Sequence, residues 1–169
     1  MKRLLIILGI VGVLGYGAVR IWVILFPGDE AEIREMLNEL STAASFRGSD
    51  KPLSQMANAA ELAGFFTEDV EIHAKGPGGE LRRVKGRSNL QQIAVSAQSM
   101  GGGLSVSFKD VLVQLGDEAG AASCRLTMIA NGLSEPTPWV QILELEVVDL
   151  DRGWKVARVE AVEAVERIQ

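Results

Sequence analysis

Between Leu4 and Phe26 the chain runs 23 residues with a single charge, Arg20. As a helix rising about 1.5 Å per residue, that run is about 35 Å long, enough to cross a hydrocarbon core of about 30 Å with some tilt. Residues 1–28 are therefore read as an N-terminal transmembrane signal anchor, and residues 29–169 as the domain it carries. Lys2 and Arg3 precede the run, while Asp29, Glu30 and Glu32 follow it, so the positive-inside bias keeps the N-terminus in the cytoplasm and the domain outside it, in a periplasm or at an outer surface. Arg20 can snorkel to the headgroups, with Tyr16 and Trp22 at the interface. The competing reading is a cleaved signal peptide, with residues 4–14 as its h-region and Gly15-Tyr16-Gly17 as small residues around the cut. Cleavage there would leave Ile21-Trp22-Val23-Ile24-Leu25-Phe26 as an exposed apolar tail, which weighs against it.

From Asp29 onward there are 14 Lys and Arg against 22 Asp and Glu, a net charge of −8. Such a surface repels nucleic acid, and no nucleic-acid partner is expected. About 140 residues is near the common domain size and buries a core without staples. Cys124 is the one cysteine and falls within a strand pattern, so no internal disulfide can form and a buried thiol is expected.

Pro27-Gly28 interrupts the apolar run. Ile33, Met36, Leu37, Leu40 and Ala44 then recur at the spacing of an amphipathic helix, which Asp29 or its neighbours can cap. A second helix is expected from Pro52, its apolar stripe being Leu53, Met56, Ala57 and Ala60, sharing one face with the first. Residues 70–74 alternate as a strand and stop at Gly76-Pro77-Gly78-Gly79, after which 81–84 return as a short hairpin arm. Ser88 and Gln91 have the spacing of a capping box for a third helix through Leu90, Ile93, Ala97 and Met100, which Gly101-Gly102-Gly103 ends. Four long strands follow, over 104–115, 119–130, 139–150 and 154–165. The apolar phase switches from Val106 and Phe108 to Val111 and Val113, which predicts a bulge near Asp110. Turn residues between consecutive strands predict three antiparallel pairings.

Two helices, a short hairpin, a third helix and four long bent strands make an α+β order that resembles the cone-shaped nuclear transport factor two-like fold, whose helices pack on a strongly curved antiparallel sheet. The resemblance rests on Phe66-Thr67-Glu68-Asp69-Val70-Glu71-Ile72-His73, on the Gly76-Pro77-Gly78-Gly79 turn, on Gly86-Arg87-Ser88-Asn89-Leu90, and on Asp151-Arg152-Gly153-Trp154-Lys155-Val156. That superfamily contains ketosteroid isomerase-like, polyketide-cyclase-like (SnoaL-like) and scytalone dehydratase-like enzymes beside modules that catalyse nothing, so fold alone assigns no activity. The isomerase-like members imply a carboxylate base near the end of the strand at 70–75, where this chain has His73 and Ala74. They also imply a tyrosine donor, and the single tyrosine is Tyr16 in the anchor. Many relatives pair through the outer face of the sheet, which implies a homodimer.

His73 is the single histidine and would be the general acid or base of an enzyme of this kind; the plainer reading is a polar strand residue. Phe65, Phe66, Met100, Met128 and Trp139 either line a cavity for a small apolar ligand or fill the core. Arg82, Arg83, Lys85 and Arg87 either face anionic headgroups or an acidic partner, or form a solvated hairpin face. The triglycine lies at a helix end and lacks a following lysine, so it is not expected to cradle a phosphate, and one histidine among scattered carboxylates makes a poor metal site; neither a cofactor nor a metal is expected. The expectation is a membrane-anchored binding or assembly module without catalysis, meeting a membrane-protein partner, a second copy or a small apolar ligand. A lyase, isomerase or cyclase using His73 in the cone is the alternative.

Overall fold

The computed structural model describes residues 28–164 other than 49, 77–78, 101, 133–134 and 151–152. The apolar run at 4–26, with Tyr16, Arg20 and Trp22, lies outside the described residues; among those described, no helix is long and apolar enough to cross a membrane.

Helix α1 (Asp29–Ala43) buries Ile33, Met36, Leu37 and Leu40, the stripe expected from the spacing. Asp29 does not cap it. Gly28 occupies that position, its carbonyl accepting from the Ala31 and Glu32 amides at 2.7 and 3.2 Å, and Asp29, Glu30 and Glu32 fill the first turn, where carboxylates oppose the positive end of the helix dipole. Helix α2 (Pro52–Gly64) starts on its proline but does not bury the expected stripe. Ala59 and Ala63 face inward, whereas Leu53 and Met56 are 79% and 59% exposed and Ala57 and Ala60 are exposed beside them. The reason is layering. α1 already covers the sheet's apolar face, so α2 packs on the next helix and uses its small-residue side to approach closely.

Strand β1 (Phe66–Lys75) pairs antiparallel with the short β2 (Leu81–Lys85), and helix α3 (Arg87–Ser99) follows at once. The expected capping box does not form. Gly86, at φ 85°, is the N-terminal flanking residue and makes no side-chain cap, so Ser88 is already inside the first turn. Strands β3 (Leu104–Leu115), β4 (Ala121–Gly132), β5 (Glu135–Leu150) and β6 (Gly153–Ala164) give the three antiparallel hairpin pairings read from the turns. The sheet order is β2-β1-β6-β5-β4-β3, with β1 and β6 parallel. The bulge is where the phase switch put it: the β3–β4 register shifts between Lys109 and Leu112, and Asp110 has φ 51°. Two further shifts on the β5–β6 ladder lie opposite Ile142 and Glu146, and such extra residues increase the twist that curves a sheet.

Even-numbered residues from Ala122 to Ala130 of β4 and odd-numbered residues from Trp139 to Val147 of β5 point into the concavity. Cys124, Leu126, Leu143, Leu145 and Val147, with Val156 and Val159 of β6, meet the α1 stripe in one core. Each fully buried aliphatic side chain there contributes roughly 1.5–3 kcal/mol before entropy is counted. At one end of the cone the chain passes close to itself. Phe46 and Leu104 exchange backbone hydrogen bonds at 2.8 and 2.9 Å, and a Cβ on Gly48 would lie 2.7 Å from the Gly102 nitrogen. The glycines after α3 thus serve close backbone approach as well as helix termination.

Candidate functional site

β-Strand register places Met128 beside Gln141 on the inward face, with Phe108 on the other side of Met128. The flanking inward rows are Val106–Ala130–Trp139 on one side and Leu126–Leu143 on the other. Directly opposed side chains on one face have Cβ atoms about 5 Å apart, so an apolar frame surrounds one amide. Gln141 is 0% exposed, and neither its Nε2 nor its Oε1 has a hydrogen-bond partner. Buried amides are nearly always paired, because an unpaired one keeps the whole cost of leaving water. The other buried polar side chains among the described residues are Thr67 and Gln98, and Thr67 Oγ1 and Gln98 Oε1 are also unpartnered. All three are neutral and none titrates near neutral pH.

Of the residues singled out from sequence, Met128 and Trp139 flank this amide. Phe66 is buried in the core, and Phe65 is packed against it beneath the Lys155 ammonium, 5.9 Å from its ring centre. The Lys155 ammonium also donates to the Gly64 carbonyl at 2.6 Å. Met100 is 83% exposed at the end of α3 and takes no part. Gln141 itself was missed, although it was findable: it stands at an inward position of an alternation otherwise made of Trp139, Leu143, Leu145 and Val147.

His73 belongs to the other face. It pairs in register with Glu160 and Arg83, its Nδ1 lying 3.8 Å from a Glu160 oxygen, and its neighbour Ile72 points toward the core. Two ladders of side chains cross the whole outer surface: Leu112–Arg125–Glu144–Glu160–His73–Arg83 and Gln114–Ser123–Glu146–Arg158–Glu71–Lys85. A concavity of about 410 Å³ opens among Leu112, Arg125, Glu144, Glu146, Arg158 and Glu160. Its ion pairs are looser than those at the sheet edge, Arg125–Glu144 at 3.5 Å against Lys85–Glu71 at 2.7 Å. The hydrogen bond and charge of Lys85 hold the Glu71 carboxyl below the usual range, and Glu71 raises the Lys85 ammonium in return.

The basic hairpin is largely self-neutralised. Arg82 pairs with Glu80 at 2.8 Å, Lys85 with Glu71, and Arg87 with Glu68 at 3.0 Å. That pattern suits a charged, protected sheet edge better than an anion-docking patch. Cys124 is buried and free, and burial pushes its thiol up to about 11, so little of it is thiolate at neutral pH. Among the described residues no group of three or more His, Cys, Asp and Glu side chains is placed to hold a metal ion.

The chain has the cone of the nuclear transport factor two-like fold. A candidate aromatic ring hydroxylase from Novosphingobium aromaticivorans superposes with a TM-score of 0.63 at 17% identity, over 82% of this chain and 90% of that one. A candidate scytalone dehydratase from the same organism gives 0.56 at 19% identity, over 80% and 90%. A protein of unknown function from Mycobacterium tuberculosis gives 0.60 at 14% identity, over 81% and 76%. No protein-family model and no curated protein matches the chain. At these identities the likeness is one of fold, an α+β architecture with, among the described residues, three helices on a curved, mainly antiparallel sheet.

Proposed function

We propose that this chain is a membrane-tethered, non-catalytic binding module whose cone receives a small, mostly apolar ligand through Gln141. The observation that carries this reading is the orphaned amide: Gln141 is fully buried on the inward face, among apolar rows, with donor and acceptor both unpaired. A carboxamide or a protonated carboxylic acid on an otherwise apolar molecule offers the matching acceptor and donor side by side. The tether reading rests on the run at 4–26 and on Lys2 and Arg3 before it, with the N-terminus cytoplasmic and the domain outside. α1 begins at Asp29, three residues beyond the run, so the domain stays close to the bilayer.

The competing reading, a lyase, isomerase or cyclase with His73 as general base, has less support. His73 belongs to the outer face beside Glu160, and the buried polar groups facing the core carry no proton to exchange near pH 7.

The test is mass spectrometry of small molecules released from full-length protein purified from membranes. The expected result is an apolar amide or acid that accompanies the native chain and is lost from Gln141→Leu. Equal retention by Gln141→Leu removes the amide as anchor. Release of the intact chain into the soluble fraction on detergent-free lysis removes the tether.

A further inference from the structure

The stripe that helix periodicity assigns to the core of α2 faces outward. Leu53, Met56, Ala57 and Ala60 recur at i, i+3, i+4 and i+7 and all are exposed, Leu53 at 79% and Met56 at 59%. On α3, Ile93 is 46% and Met100 83% exposed. The Gln55 amide donates to the Gln98 carbonyl at 3.4 Å, holding the first turn of α2 beside the last turn of α3, so Leu53 and Met100 lie at the same end of the pair. Exposed apolar side chains gathered on one helix pair in this way mark a contact surface.

The charge distribution says what covers it. The domain carries a net charge of −8, so two copies repel over most of their surfaces. α1 alone holds Asp29, Glu30, Glu32, Arg34, Glu35 and Glu39. Over their combined 26 residues α2 and α3 hold Glu61 and Arg87, and Arg87 is tied to Glu68 at 3.0 Å. We infer that α2 and α3 form a self-association face, against which the same face of a second copy packs. Ala57 and Ala60 leave room for a facing helix to approach to about 8–9 Å between axes, with Leu53 and Met56 beside them as knobs. Two 13-residue helices side by side cover about 20 by 20 Å, or roughly 400 Å² of footprint per copy, about half of what a stable interface buries on each partner. Such a contact is weak between freely diffusing chains and becomes populated when copies share one plane. The inference rests on the tether reading of the run at 4–26 proposed above, and not on a ligand in the cone.

Disulfide trapping in native membranes tests it, using the full chain. Cys124 is buried with a raised pKa, so an introduced cysteine is the reactive thiol. Met56→Cys and Ala60→Cys should each give a covalent homodimer under mild oxidation, whereas Leu112→Cys, on the outer sheet face and 61% exposed in the native residue, should not. Adding Leu53→Asp should lower the trapped Met56→Cys dimer by about tenfold or more, and Leu53→Met should leave it intact. Trapping through Leu112→Cys alone would place the contact on the sheet instead. An adduct with a different protein at residue 56, or no adduct at residues 56 and 60, would overturn a self-association face.

Discussion

Replacing Gln141 by methionine separates a side chain kept for a ligand from one kept for the fold. The two side chains are similar in length and volume, so the exchange leaves little cavity and little strain. In the ligand-free protein Gln141 is 0% exposed and both amide atoms lack partners, so the native chain bears the cost of an unpaired buried amide, about 2 kcal/mol on the usual 1–3 kcal/mol scale. Methionine removes that cost and adds apolar contact with Met128, Leu143 and Trp139. At roughly 3 °C per kcal/mol for a domain of this size, the variant should melt about 6 °C higher than the native chain. With a ligand present at a hundred times its Kd the native chain gains about 2.7 kcal/mol and the variant gains nothing, so the order reverses. Thermal unfolding of the detergent-solubilised full chain, followed by near-UV circular dichroism with and without the ligand, reads both arms. A ligand-free Gln141→Met that melts below the native chain would refute the reasoning, because the amide would then be satisfied and structural.

Four other outcomes are expected. Cys124 is 1% exposed and burial raises its thiol from 9.0 to about 11, so the folded state holds this proton more tightly than the unfolded chain. Its contribution is complete below pH 9 and is lost as pH rises through 11; between those values the native chain should lose about 2 kcal/mol more than Cys124→Ala in urea titrations. Asp110 has φ 51° within the β3 bulge, a conformation β-branched residues resist, so Asp110→Val should cost about 1–2 kcal/mol in chemical denaturation while Asp110→Gly stays within about 0.5 kcal/mol of the native chain. Gly132 combines φ 119° with the Gly103 carbonyl where a Cβ would go, and Gly132→Ala should cost at least about 2 kcal/mol by the same assay. His73→Gln should leave ligand retention unchanged, since that side chain is on the sheet's far face; a loss of ligand would return His73 to the site.

The architecture was legible where local pattern and tertiary environment agree. The α1 stripe and the Asp110 bulge follow from periodicity, because those faces meet the core directly, and the antiparallel run from β3 to β6 follows from the turn residues between its strands. α2 defeated the same rule. Its larger apolar residues obey helical spacing, yet α3 accepts the small side, and spacing alone cannot say which of two stripes meets a neighbour. The cap of α3 was misplaced by two residues because Gly86 can adopt φ 85° and start the helix before Ser88. β1–β6 pairing was invisible, since the two strands are separated by five other elements and parallel partners share no turn. In the candidate site, aromatic and methionine residues drew notice for being large, but Phe66 fills the core and Met100 faces out. Gln141 was overlooked because it is neither charged nor reactive, and its significance appears only once burial and missing partners are known.

The place of β6 in the sheet has a consequence for biosynthesis. β6 follows every other described strand in the chain, yet it lies between β1 and β5, so before it emerges the β1–β2 hairpin and the β3–β5 meander have no common edge. Trp154, Val156 and Val159 close the core from that strand. A growing chain can therefore form two separate pieces but not the cone, and the decisive joining of β1 to β6 spans about 90 residues, a costly loop to close. Folding is consequently a late event, completed after synthesis has passed residue 164 and the last strand is free to wedge itself between its neighbours. Until then the inward faces of β4 and β5 stay open, and any factor that shields unfinished chains has its greatest effect on this protein in that interval.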